Sequence, residues 1–450
     1  MTTTIVEGCS IATVDPARTE IANGHIVIDD DVIAQVGSGG APDIPEARRI
    51  EGRGMLATPG LVNSHHHLCQ WLTRGHEQES DLFAWLNALY PVWAHIDEDM
   101  ERAAAAAGIS ALAASGCATT MDHHYIFASG RGDLLGAEID AAAEVGLRFH
   151  PTRGSMDLGV SDGGLPPDDV TEKTEVILGA TAEAIDRYHN PDRASMLQIA
   201  VAPCSPFSAT QQLMTESAAL ARSKNVRLHT HLAETVDEEE FCMDRFGVRP
   251  VEYLDKLGWL GDDVWLAHCV HLASDEVARV GANSVAVAHC PSSNARLGAG
   301  IAPIRELLDA GAAVGLGVDG AASNEAGELN LELREALLAA RFRGGADALT
   351  VRDALALGTI EGARCLGRAN EIGSLEDGKM ADIALWDLDD IGHAGIDDPI
   401  AALVLGPPRR VHTLLVGGRV VVDAGRITTV DEEVVARNLV RECMRLAGRR

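Results

Sequence analysis

Eight apolar runs of strand length recur through the middle of the chain, at residues 55–62, 117–121, 147–151, 197–203, 226–232, 264–268, 284–289 and 313–318. Helical stretches separate them, 99–114 and 304–310 among them. Alternation on this count predicts an α/β fold, a (β/α)8 TIM barrel. The ends of the chain have a different texture. Residues 24–28 and 32–36 read as a hairpin across Asp29-Asp30-Asp31, and 381–386, 411–416 and 419–422 read as further short strands. Neither end has enough strands to bury a face alone. The reading is therefore a small β-sandwich domain assembled from both termini, 1–58 plus 373–450, around a barrel spanning 59–372. A chain of 450 residues has room for both.

A barrel of this type places its chemistry at the C-terminal ends of its strands. The first run leads into His65 and His67, whose spacing puts both side chains on one side of an extended strand. That pair is half of a metal site. By itself an H-x-H is not specific and competes with a chance histidine run. The later strand ends decide between the two. They carry Asp122-His123-His124, Pro203-Cys204, His229 and His231 with Glu234, His268, His289-Cys290 and Asp319. Random placement of 17 histidines would not favour strand ends so consistently.

Composition narrows the partners. Thirty-seven basic against 67 acidic side chains give a net charge of −30, which repels phosphate backbones and argues against nucleic acid. Nine cysteines lie singly, with no C-x-x-C pair, as in a reducing compartment. The first 14 residues lack the basic and apolar regions of a secretion signal, and the Ala-rich stretch 103–114 is too short to span a bilayer. A soluble cytoplasmic protein with no membrane partner is expected, and no feature fixes whether it forms a homo-oligomer.

The strings Pro59-Gly60-Leu61-Val62-Asn63-Ser64-His65-His66-His67, His231-Leu232-Ala233-Glu234, Leu266-Ala267-His268-Cys269, His289-Cys290-Pro291-Ser292-Ser293-Asn294 and Val318-Asp319-Gly320 occur in this order. With the tail from Gly373 to Asp382, they make the whole chain resemble the amidohydrolase superfamily, in its branch of mononuclear-metal heterocycle deaminases and chlorohydrolases. The resemblance implies that His65, His67, His231 and Asp319 hold one divalent metal ion, zinc first and iron second. It implies Glu234 as proton carrier and His268 as the contact to the attacking water or developing oxyanion. His229 shares a strand face with His231 and is the competing third histidine. His66 is expected to point away. Binuclear relatives carry a bridging Lys or Glu at the end of the fourth strand, where this chain has Pro203-Cys204-Ser205. The H-x-E and P-C-x-x-C pair of cytidine-deaminase-like zinc enzymes is missing.

The expected chemistry is attack of activated water on an amino-bearing ring carbon. Asp319 takes the proton, Glu234 protonates the ring nitrogen, and His268 steadies the new oxygen charge. The competing role for Glu234 is a solvated member of the acidic run 237–240. A flat heterocyclic substrate calls for aromatic walls and a few polar groups. Gln70, Trp85, Asn294 and Asn324 are the candidates for its recognition, Trp85 by stacking, although an aromatic there is as often core. Leu72-Thr73-Arg74, Asp122-His123-His124-Tyr125, Arg153-Gly154-Ser155-Met156 and Gly163-Gly164-Leu165-Pro166-Pro167 look most like bacterial 8-oxoguanine deaminases. That implies 8-oxoguanine going to urate and ammonia. The alternatives are an s-triazine or isoxanthopterin hydrolase on the same machinery and, more remotely, a metal-binding barrel without turnover.

Overall fold

The computed structural model describes residues 2–449. Eight parallel strands close into a barrel, in chain order Leu61–Asn63, Cys117–His124, Arg148–Ser155, Ala200–Pro203, Leu228–Leu232, Val264–His268, Ala286–His289 and Val314–Leu316. Leu316 pairs with Asn63 to complete the ring. Every residue of these strands is buried, since helices cover the outer face and side chains fill the inner one. This two-sided burial explains why the strands read as continuous apolar runs.

The first run, expected as one barrel strand over 55–62, is divided. Met55–Pro59 belongs to a mixed sheet, parallel to Thr3–Ala12 and antiparallel to Ile383–Asp387. Only Leu61–Asn63 enters the barrel. Gly60 is the joint: a Cβ there would lie 2.4 Å from the Ala118 Cβ, so the chain passes the second strand too closely for any side chain.

The mixed sheet has nine strands drawn from both ends of the chain. One buried cluster takes Val6, Ile26 and Ile33 from the N-terminal strands and Ile383, Leu385 and Leu415 from the C-terminal ones. The fold is thus a (β/α)8 barrel with a small β domain built from both termini. A buried ion pair ties the two, with Arg148 of the third barrel strand donating to Asp382 at 2.7 and 3.1 Å. The last helix, Glu432–Ala447, lies in the stretch expected in the β domain. It packs on the barrel instead: Leu446 joins Trp71, Trp93 and Met100, and Arg445 pairs with Asp97. Its apolar stripe finds its partner on the helix Glu98–Ala114. Among the described residues no helix is long and apolar enough to cross a membrane.

Beyond the barrel rim, strands one and eight run on as a two-residue ladder. Asp319 pairs with His66 and Gly320 with His67. This short extension brings the aspartate to the histidine motif.

Candidate active site

Three imidazoles and one carboxylate converge inside the rim. His65 Nε2 and His67 Nε2 each lie 3.3 Å from Asp319 Oδ1, and His67 Nε2 lies 3.1 Å from His231 Nε2. Their hydrogen bonds fix the tautomers. The carbonyl oxygens of His123 and Cys204 can only accept, so the Nδ1–H groups of His67 (2.8 Å) and His231 (2.7 Å) donate to them. His229 Nδ1 donates to the Trp265 carbonyl at 2.9 Å, which leaves its Nε2 to accept from His65 Nδ1 at 2.9 Å. The Nε2 lone pairs of His65 and His67 are left facing Asp319, and that of His231 faces His67 Nε2. His65 Nε2 is buried without a hydrogen-bond partner. Lone pairs so close to one another and to a carboxylate repel unless a cation lies among them, and backbone carbonyls on the opposite ring nitrogens are the usual support of metal-binding histidines. The residues fit a divalent metal.

Electrostatics agree with this reading. Burial holds His65 well below the ordinary imidazole range, and burial with the neighbouring His67 and His268 brings His231 down to about 3. Both are neutral, as ligands must be. Burial acts upward on Asp319, but the imidazoles of His65, His268 and His67 outweigh it and keep it an anion. Two hydroxyls steady its second oxygen: Ser293 donates at 2.5 Å and Ser323 at 3.3 Å. Asp319 and His268 take left-handed backbone conformations (φ 59° and 69°), as does Ala233 (φ 52°) beside Glu234. Side chains with φ above zero are uncommon and cluster at functional sites.

Glu234 stands across from His268, whose Nε2 lies 3.6 Å from Glu234 Oε2 and 4.0 Å from Asp319 Oδ2. Glu234 is 3% exposed, so it is not a solvated member of the acidic run. Burial pushes its carboxyl up to about 7, against the pull of His268. His268 itself is raised in spite of burial by the carboxylates of Glu234 and Asp319. Glu238 is also buried. Its carboxylate accepts from the backbone N–H of Ala233 at 2.8 Å and of Glu234 at 3.1 Å, holding the strained turn.

These groups form the floor of a cavity lined mainly by apolar and aromatic side chains. Trp85, Tyr90, Tyr125 and Phe207 supply aromatic walls, with Leu82, Leu86 and Leu297. Gln70 lines it as well, lying over Gly320 so closely that a Cβ there would meet its Oε1 at 1.8 Å. That oxygen is buried and without a partner.

Two recognition candidates lie away from the cavity wall. Asn294 does not line the cavity; its Oδ1 accepts from His268 Nδ1 at 3.0 Å. Asn324 is turned away, donating to the Val318 carbonyl and to Glu332, both at 2.9 Å. Each is held by a strong local partner. Conversely, Ser293, Ser323, Tyr90, Phe207 and Glu238 were not singled out from the sequence. Ser293 sits inside a quoted motif, but nothing in its spacing points to Asp319. Tyr90 and Phe207 are ordinary apolar positions until the fold closes.

With the geometry in place, comparison with known proteins is decisive on ancestry. The amidohydrolase family profile matches residues 56–421. The chain belongs to the amidohydrolase family. It is 44% identical to an 8-oxoguanine deaminase of Pseudomonas aeruginosa, over 95% of this chain and 96% of that protein. It is 36% identical to an isoxanthopterin deaminase of an unknown prokaryote, over 96% and 94%. In structure it resembles the atrazine chlorohydrolase of Arthrobacter aurescens TC1 solved with zinc, at a TM-score of 0.92 and 34% identity, covering 98% of this chain and 99% of that one.

Proposed function

We propose that this amidohydrolase deaminates 8-oxoguanine, giving urate and ammonia, with one zinc ion held by His65, His67, His231 and Asp319. The observation that carries the reading is a neutral-imidazole and carboxylate cluster beside a buried Glu234 whose carboxyl is pushed up to about 7. The name of its Pseudomonas aeruginosa relative supports the substrate, and the zinc in the Arthrobacter aurescens structure supports the ion. His229 is the support of His65, leaving the third imidazole to His231. The nine cysteines, each free of a disulfide, fit a cytoplasmic enzyme.

A divalent ion in this set supplies Lewis acidity that brings the pKa of water towards roughly 7. The protein's own groups do the rest. The aromatic walls hold a planar ring, and the amide of Gln70 offers both donor and acceptor to its edge. Asp319 accepts the proton of the attacking water. Glu234, protonated at neutral pH in good part, gives its proton to the ring nitrogen next to the attacked carbon and so makes that carbon electrophilic. His268, held by Asn294, donates to the oxygen as charge builds on it. The proton taken by Asp319 leaves with the amino group as ammonia, and the proton of the added hydroxyl returns to Glu234 as the carbonyl forms.

The test is ammonia release by zinc-loaded enzyme from 8-oxoguanine, guanine, isoxanthopterin and an aminated triazine. Preference for 8-oxoguanine supports the proposal. Activity confined to the pterin or triazine keeps the mechanism and replaces the substrate, and no ammonia from any of them overturns the proposed function.

A further inference from the structure

A second set of buried ligand-type side chains stands behind the active site, on the other side of the barrel wall. His123 and His124 are consecutive on the second barrel strand and so face opposite ways. His123 packs inward against His67 and His231. His124 points outward, to Glu101 of the helix Glu98–Ala114, Glu138 of the helix Leu134–Val145 and Cys69 of the turn Leu68–Thr73. His124 Nδ1 is 3.5 Å from Glu101 Oε2 and 3.2 Å from Glu138 Oε1. The ligand atoms of Cys69, Glu101 and His124 lie within 4.8 Å of one another.

We propose that Cys69, Glu101, His124 and Glu138 bind a second divalent transition-metal ion in a closed structural site. Three observations carry it. First, His124 Nε2 donates to the Ile126 carbonyl at 2.8 Å, which leaves the Nδ1 lone pair aimed at the carboxylates. His67 is held in the same way, with its free nitrogen 3.3 Å from a carboxylate oxygen of Asp319. Second, both carboxylate oxygens of Glu101, both of Glu138 and the Nδ1 of His124 are buried without a hydrogen-bond partner. Among the described residues neither glutamate pairs with Lys or Arg; His124 approaches both, and the two carboxyl groups face each other. Two desolvated carboxyl groups facing one imidazole lone pair are relieved by a cation or by protons between them, and burial pushes both carboxyls up. Third, one thiolate, one imidazole and two carboxylates make a four-ligand set with no side open to the cavity, the pattern of a structural ion rather than a catalytic one. Binding releases the thiol proton to solvent.

The site has a clear task. Cys69 follows His67 by two residues and precedes Gln70, so an ion here anchors the turn that carries both into the active site. Asp122 braces the same turn by accepting from Leu68 N at 2.6 Å.

The experiment counts metal in the full-length chain, grown with zinc and dialysed into metal-free buffer, by plasma mass spectrometry. Wild type carries one equivalent more than Cys69→Ser/Glu138→Gln, and Asp319→Asn does not remove that equivalent. Cobalt-loaded wild type shows a sulfur-to-cobalt charge-transfer band that Cys69→Ser lacks; this comparison stands even if the double variant does not fold. Equal metal in wild type and double variant, or no Cys69-dependent band, overturns the site and leaves a proton shared between Glu101 and Glu138.

Discussion

The two buried clusters on either face of the second barrel strand are built with the same device and opened to different things. In both, a backbone carbonyl takes the N–H of an imidazole and turns its other nitrogen towards carboxylate. The inner cluster looks onto a cavity walled by aromatic rings, and the outer one is sealed between helices. A cation in the first can meet substrate, whereas one in the second can only hold the fold. Other buried carboxylates show what the absence of a cation looks like. Glu238 accepts two backbone N–H groups, and Glu332 accepts from Asn324 and from Ser292 N. Donors and, as burial pushes Glu238 up to about 8 and Glu332 up to about 7, a proton take the place of the ion there.

The largest effect expected within this comparison comes from Asp319→Asn. It removes the only carboxylate of the inner set together with the proton acceptor. Turnover should fall by about 10³-fold or more, with loss of the cavity ion. Retained metal at wild-type affinity would show that the imidazoles alone suffice. Glu234→Gln separates proton transfer from metal binding. It keeps the shape beside His268, so the ion stays and turnover falls by roughly 10² to 10⁴-fold. Normal activity in that variant would remove Glu234 from the proton path.

The inner cluster could be seen in the sequence because its members sit in short motifs at strand ends. H-x-H, H-x-x-E and V-D-G each place a side chain by local geometry alone. The eightfold alternation carries the barrel in the same way. What remained hidden depends on closure. Cys69, Glu101, His124 and Glu138 share no spacing, and they meet only when two helices pack on the second strand. The run at 55–62 looks uniform, and only the approach of Ala118 to Gly60 shows where it leaves one sheet for another. Asn294 and Asn324 occupy loops at the right ends of their strands, but their amides are captured by His268 and Glu332.

Ser293→Ala tests how far support of Asp319 matters. Its hydroxyl donates to Asp319 Oδ2 at 2.5 Å, and removing such a partner weakens metal binding by roughly 10 to 100-fold. Competition with a chelator reads the affinity directly. No change would mean that Ser323 alone orients the carboxylate.

Glu332→Gln has the smallest expected effect and probes a carboxylate that lives on donors. Burial pushes Glu332 up to about 7, although Ser292 and Asn324 pull the other way. Its ordinary value in the unfolded chain is about 4.3. Between these values the folded state holds more protons than the unfolded one, so stability falls as pH rises through this window. The contribution present at low pH is lost above about pH 7, at most about 4 kcal/mol. Glutamine does not titrate, so the variant should lack this part of the slope when thermal unfolding is compared at pH 5 and pH 8. An unchanged slope would mean that the donors keep Glu332 ionised throughout. Two N–H groups would then be enough to hold a buried carboxylate charged, and Glu101 and Glu138 have no such donors.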